Sequence, residues 1–387
     1  MRPHFPLLSL TASVLAVLPL TACRAHDFPQ YPADYREYAY VTNGGSGTVS
    51  IFDVVNVRLD REVAVGLNPV AVAASPTRNE VYVVAEGAEN GPGALAVLDA
   101  EKNALAATIV LHRQPVAIDV DAAGEVAYVA NAGSNSVSVV DLKARREMAL
   151  IGAGEEPAAL RLSPDGKTLV IANRRGNSAT IVDVAARKVR AVFDGCPGAA
   201  DVAILPDSTK AFIACSAGHQ ILSIALARPQ SKSDTRPDRV EALLDVGRGP
   251  VQLALKPDGG ELFSLDTLSD SISEVVTSTN DVGGAYLMGA GPVRGLVTPD
   301  NALLYVGNQR SQEVTIYAIE DGKRRGVIHV GDGPTALALS TAGHLLFVAD
   351  SRSNDVAVVR TASRSLFTLL STGRNPNAIA IKAFRKP

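Results

Sequence analysis

The stretch 154–183, GEEPAALRLSPDGKTLVIANRRGNSATIVD, recurs in altered form along most of this 387-residue chain. It holds a Gly-x-x-Pro lead, a short apolar run, a Pro-Asp-Gly turn, a second run ending in Ala-Asn and a third ending in Val-Asp. Aligned on Asn173, the copies place Asn43, Ala85, Asn131, Asn173, Cys215, Asp266, Asn308 and Asp350 in one column, at spacings of 42, 46, 42, 42, 51, 42 and 42 residues. Sixteen residues ahead of the last seven stand Pro69, Pro115, Pro157, Ala199, Pro250, Pro292 and Pro334, and Pro376 adds one more lead at the end. A fixed period of about 20–50 residues means that each unit buries its apolar faces against its neighbours, not by itself.

Each unit offers four strand-length runs. In the Pro157 unit they are expected at 158–162, 168–172, 179–184 and 189–193, the first two joined by Ser163-Pro164-Asp165-Gly166, where proline and glycine supply the backbone angles of a tight turn. Four short antiparallel strands per unit, eight times over, predict an all-β fold: an eight-bladed β-propeller of four-stranded blades. Seven blades plus one ragged unit is the alternative, but every unit keeps its motif. The two long spacings reflect insertions at 87–93 and 228–237, between strands, where extra residues are tolerated. The first unit starts at its second strand, 38–42, whereas the last lead is followed by 377–381 and then the chain stops. The C-terminal strand is therefore expected to pair into the first blade and close the ring, which removes exposed sheet edges.

The first residues read differently. A weakly basic start precedes a 14-residue apolar run, Leu7 to Leu20, too short to span a bilayer but suited to the core of a signal peptide. It ends Leu20-Thr21-Ala22-Cys23, which resembles a bacterial lipobox, with Cys23 the lipidated residue. The expected division is thus a lipoprotein signal peptide over 1–22, a lipidated N-terminus and spacer over 23–37, and one propeller domain over 38–387. Such a protein is tethered to a membrane by lipid alone, in the bacterial envelope and, in a diderm, at the outer membrane. Apolar residues are 47% of the chain and the net charge is −3, which supports a large core and argues against nucleic acid as a partner.

Tyr40-Val41-Thr42-Asn43, followed after a glycine-rich turn by Thr48-Val49-Ser50-Ile51-Phe52-Asp53, resembles the YVTN family of bacterial and archaeal β-propeller repeats. Tyr128-Val129-Ala130-Asn131 and Tyr305-Val306-Gly307-Asn308 carry the same resemblance, which covers about 38–384. It implies the propeller. For function it implies less, since the family includes surface-layer and periplasmic binding proteins, and related propellers include lactonases and haem- or quinone-associated dehydrogenase subunits.

Candidate sites are sought where a unit departs from its own consensus. Two positions past the lead the series reads Ala71, Ala117, Ala159, Asp201, Gln252, Arg294, Ala336, Ala378; four past it reads Ala73, Asp119, Arg161, Ala203, Ala254, Leu296, Ala338, Ala380. Alanine suits inner strands that converge on an axis. Asp119, Arg161, Asp201, Gln252 and Arg294 fall on consecutive blades and predict a one-sided polar arc at the channel. Two readings stand: a patch for a small polar or anionic ligand gripped by Arg161 and Arg294, or ion pairs Asp119–Arg161 and Asp201–Arg294 that fill a wet channel. The second is the simpler. Loops at the same end carry Arg174, Arg248 and Arg374, which suit an acidic partner or plain solvated charge. Cys196 and Cys215 fall in one unit, and a disulfide there needs the Cys196-Pro197-Gly198 loop to fold back; the alternative is metal ligation with His219 nearby. No haem-attachment, zinc-hydrolase or nucleophile-elbow motif occurs, so no catalytic residue, metal or cofactor is expected. The resulting expectation is an envelope-anchored scaffold that binds a small polar ligand or an envelope protein, with a lactonase-like enzyme or a haem- or quinone-linked oxidoreductase component as the alternative.

Overall fold

The structure, a computed structural model, describes residues 29–227 and 236–386. The signal sequence, Cys23 and most of the 228–237 insertion lie outside the described residues. Thirty-two strands form eight four-stranded sheets, numbered here as blades 1 to 8 in chain order. Blade 4 consists of Pro157–Leu162, Thr168–Asn173, Ser178–Asp183 and Lys188–Asp194, from the axis outwards. All neighbours in it are antiparallel.

Blade 1 is composite. Its inner strand is the C-terminal Pro376–Arg385, paired with the first strand of the chain, Tyr35–Asn43, with Tyr40 opposite Ala380. The ring closes as the repeat implied. One boundary differs: the first strand begins at Tyr35, so 35–37 belong to the blade and not to a spacer. The C-terminal strand runs on to Arg385, opposite Tyr35, and Glu37, only 1% exposed, accepts the Thr341 amide of blade 8.

The middle strands show why no blade stands alone. In blade 4, Val170, Ile171, Ala172 and Ala179 are fully buried, because both faces of the sheet are covered and the strands read as continuous apolar runs. Each apolar cluster straddles a blade boundary. Val170 and Ile181 of blade 4 pack with Ile213 and Leu222 of blade 5, and Val41 and Phe52 of blade 1 pack with Phe347 and Val358 of blade 8.

Two consensus positions do backbone work. The residue before each lead proline or alanine is left-handed: Asn68, Gln114, Glu156 and Asn375 have φ of 49–55°, and glycine takes the place at 198, 249, 291 and 333, where positive φ costs it nothing. Directly after the lead the ladder slips, so that Ala159 faces Ala172, and Asp201 faces Ala214 after Ala199 in the same way; the slip belongs to the repeat, and a proline with no N–H to donate is accommodated there. The column asparagine is the second device. Asn173 is buried and its Nδ2 donates to Ser178 Oγ at 3.1 Å and Thr180 Oγ1 at 2.9 Å, and Asn43 and Asn131 repeat this link between second and third strands.

Candidate functional site

The inner strands converge on an axial channel of about 380 Å³. At the second position past the lead, alanines line it in five blades, and Asp201, Gln252 and Arg294 take that position in blades 5 to 7. Arg161 of blade 4 reaches it from two residues further along its strand. Asp119 does not. It lies in a cleft between blades 3 and 4, at the end of the ring that carries the Ser163–Gly166 turn.

Inner strands are sheet edges, so half of their amides lack ladder partners and need another acceptor. The polar side chains supply it across the blade boundary. Asp119 Oδ2 accepts the Leu162 amide at 2.8 Å, Asp201 Oδ2 the Leu253 amide at 3.0 Å, and Gln252 Oε1 the Gly295 amide at 2.6 Å. The carboxylates are therefore engaged with backbone. Among the described residues neither Asp119–Arg161 nor Asp201–Arg294 closes to ion-pair distance, which corrects the pairing expected from the sequence. The charges still feel one another. Burial pushes the Asp119 carboxyl up while Arg161 and the amides of Leu162 and Val120 pull it down. Burial lowers the Arg294 guanidinium, Asp201 offsets this and Arg161 adds to it; an arginine nonetheless stays cationic.

What remains is a pair of cations with spare donors. Among the described residues the Arg294 side chain makes one long hydrogen bond, Nε to the Thr335 carbonyl at 3.4 Å. Arg161 makes no hydrogen bond or ion pair with the described residues. Both project into a narrow space beside Asp201 and Gln252, a geometry that suits an acceptor-rich ligand.

The loop arginines divide. Arg174 pairs with Glu156 at 3.6 Å, Arg248 donates to the Leu268 carbonyl, and the Arg374 guanidinium has no partner among the described residues. Nearby Arg310 and Arg352 pair with Asp270 and Asp332 at 2.6 and 2.7 Å. These exposed pairs contribute at most about 1 kcal/mol each.

Cys196 and Cys215 are joined, with an S–S distance of 2.05 Å, and both are fully buried. Cys215 faces Ala199, and the loop folds back through Gly198 at φ 66°. Metal ligation by these thiols is thereby set aside; His219 Nδ1 instead accepts the Gly249 amide at 3.2 Å. Two features escaped the sequence reading. Fully buried Asp350 faces half-buried Asp355 across the ladder, signalled only by aspartate in the asparagine column and a second one five residues on. The other lies in the cleft beside Asp119, where Arg187 stands without the carboxylate that its counterpart in blade 3 has.

Fold and channel together define an eight-bladed β-propeller with a polar axial site. The chain belongs to the YNCE-like β-propeller family, whose model matches residues 93–381. No curated protein matches it at a significant level. Among solved structures it is similar to Kuenenia stuttgartiensis hydrazine synthase at 20% identity, over 76% of this chain and 96% of that one, with a TM-score of 0.59. It is also similar to a candidate 6-phosphogluconolactonase from Bacteroides fragilis, at 16% identity over 92% of this chain and 100% of that one, TM-score 0.63. A functionally unknown protein from Desulfotomaculum acetoxidans matches at 14% identity, over 89% of this chain and 98% of that one, TM-score 0.58. At these identities the likeness establishes fold alone.

Proposed function

We propose that this chain is a lipid-anchored, non-catalytic binding protein of the bacterial envelope whose axial channel takes a small anion between Arg161 and Arg294. One observation carries the reading: Arg161 and Arg294 both line the channel, and the Arg161 guanidinium, solvent-exposed and without a hydrogen bond or ion pair among the described residues, keeps its donors free for a bidentate acceptor that displaces water. Arg294, with its single long bond, supplies the second grip. Anchoring rests on the apolar run before Cys23, and the disulfide suits an oxidising compartment. Calorimetric titration of the chain from Arg24 onwards with succinate and with phosphate tests the site. Binding by the natural chain and its loss in the Arg161→Ala/Arg294→Ala double variant is the expected result; binding that survives the double variant sinks the reading. A second reading, lactone hydrolysis, is favoured only by the likeness to a candidate lactonase. Turnover of 6-phosphogluconolactone by the same preparation would put it first.

A further inference from the structure

The cleft between blades 3 and 4 has about 730 Å³ of space, within the usual range of small-molecule sites. Its origin is visible by comparison with the preceding blade boundary. In blade 2 the second strand begins at Glu80, and its carboxylate collects two donors: the Tyr82 hydroxyl at 2.9 Å from the same strand and Arg145 Nη2 at 2.9 Å from blade 3. The repeat places Val126, Tyr128 and Arg187 at the same three positions one blade further on. Arg187 has the left-handed backbone of Arg145, at φ 53° against 54°.

Here the acceptor is gone. Val126 has no carboxylate, and among the described residues the Tyr128 hydroxyl makes no hydrogen bond and Arg187 Nη2 donates only to the Met148 thioether, at 3.2 Å. All four side chains line the cleft. Thioether sulfur is a weak acceptor, so the counterparts of two donors that share one carboxylate at the neighbouring blade boundary both line this cleft without one between them. The three acids that also line the cleft are already engaged. Asp119 takes the Val120 and Leu162 amides, Asp121 the Glu125 and Val126 amides, and Asp165 the Ser163 hydroxyl and Lys167 amide. Around the donors the wall is apolar, from Val126, Met148, Leu162 and Val184.

We infer that this cleft is a second ligand site, separate from the channel, for a monocarboxylic acid with an apolar body: its carboxylate replaces the missing Glu80 equivalent between Tyr128 and Arg187, and its hydrocarbon part lies against Val126 and Met148. A charge-assisted pair of donors of this kind holds a carboxylate well, and the apolar wall selects against small inorganic anions.

Phenylbutyrate is a suitable probe, with phenylbutanol as its uncharged control, measured by titration calorimetry on the chain from Arg24 onwards. Phenylbutyrate is expected to bind, phenylbutanol to bind about tenfold or more weaker, and Arg187→Ala to lose a similar factor. The decisive variant is Val126→Glu, which restores the blade 2 arrangement. Its internal carboxylate fills the site, so binding disappears while the melting temperature is kept or raised, which separates occlusion from misfolding. Arg161→Ala/Arg294→Ala is expected to bind phenylbutyrate as the natural chain does. Failure of phenylbutyrate to bind, undiminished binding to a folded Val126→Glu variant, or loss in the channel double variant but not in Arg187→Ala would each overturn the assignment.

Discussion

Replacing Asp350 by asparagine is expected to stabilise the protein increasingly as the pH rises. Asp350 is fully buried; its Oδ2 accepts the Gly331 amide at 3.0 Å, while its Oδ1 and Asp355 Oδ1 have no donor among the described residues. At Asn43, Asn131 and Asn173 the column amide donates to Ser or Thr five and seven residues on, but blade 8 offers Asp355 and Ala357 there. Burial, and then the facing Asp355, push the Asp350 carboxyl up to about 8 from an ordinary 3.8. The folded chain thus keeps a proton that the unfolded chain releases. Stability is fully present below about pH 4 and is lost progressively as pH rises through about 8. At pH 7 the interval above 3.8 is about 3 pH units, and at about 1.4 kcal/mol per unit the upper bound is roughly 4 kcal/mol. Asp350→Asn removes this dependence, since its amide donates to Asp355 without a proton to lose. About half the bound, ~2 kcal/mol, is the expected gain at pH 7, because Asp355 keeps a share of the cost. Urea unfolding of both chains at pH 5, 7 and 8.5 measures it. A stability difference that stays constant across these pH values would refute the raised Asp350 carboxyl as its source.

Further tests address other parts of the molecule. Reducing the Cys196–Cys215 bond, which encloses a 19-residue separation, is expected to lower unfolding free energy by about 3 kcal/mol, read as a urea midpoint shift with and without reductant; an unchanged midpoint counts against the estimate. Truncation after Thr372 removes the inner strand of blade 1 and bares the Tyr35–Asn43 edge, so the product is expected to aggregate or lose cooperative melting, and a monomeric chain with a sharp melt would contradict the closure argument. Cys23→Ser is expected to move the protein from the membrane fraction to the soluble fraction of the host, with persistence in membranes speaking against a lipid anchor.

Ring and blade count were legible because the consensus residues perform local backbone tasks that repeat. Pro157 relieves the ladder of a donor, Glu156 takes a left-handed turn, and Asn173 ties two strands; none of these depends on a distant partner. The channel was partly legible, since Arg161, Asp201, Gln252 and Arg294 break a column of alanines. Their partners were not. Asp201 holds an amide of the next blade, a contact fixed by the distance between inner strands and invisible in either unit alone. Asp119 and Arg161 share one column, yet the long arginine reaches the axis while the short aspartate stays at the far end. The cleft required still more, because Arg187 must be matched to Val126 and Tyr128 in the preceding unit. That match needs to be known across blades, and one sequence read unit by unit does not supply it.

The composite first blade also sets the order of events during synthesis. Tyr35–Asn43 is made before the other strands of the ring, and its inner partner, Pro376–Arg385, after them. Until that strand arrives, the first and eighth blades cannot bury Phe52 and Phe347 against a finished neighbour. A loop of nearly the whole chain must also close, which is slow for contacts so distant in sequence. A growing chain therefore stays short of its final ring while it is being made. The closing strand thus acts as a timer on the whole ring, which locks only once Pro376–Arg385 is available to pair with Tyr35–Asn43.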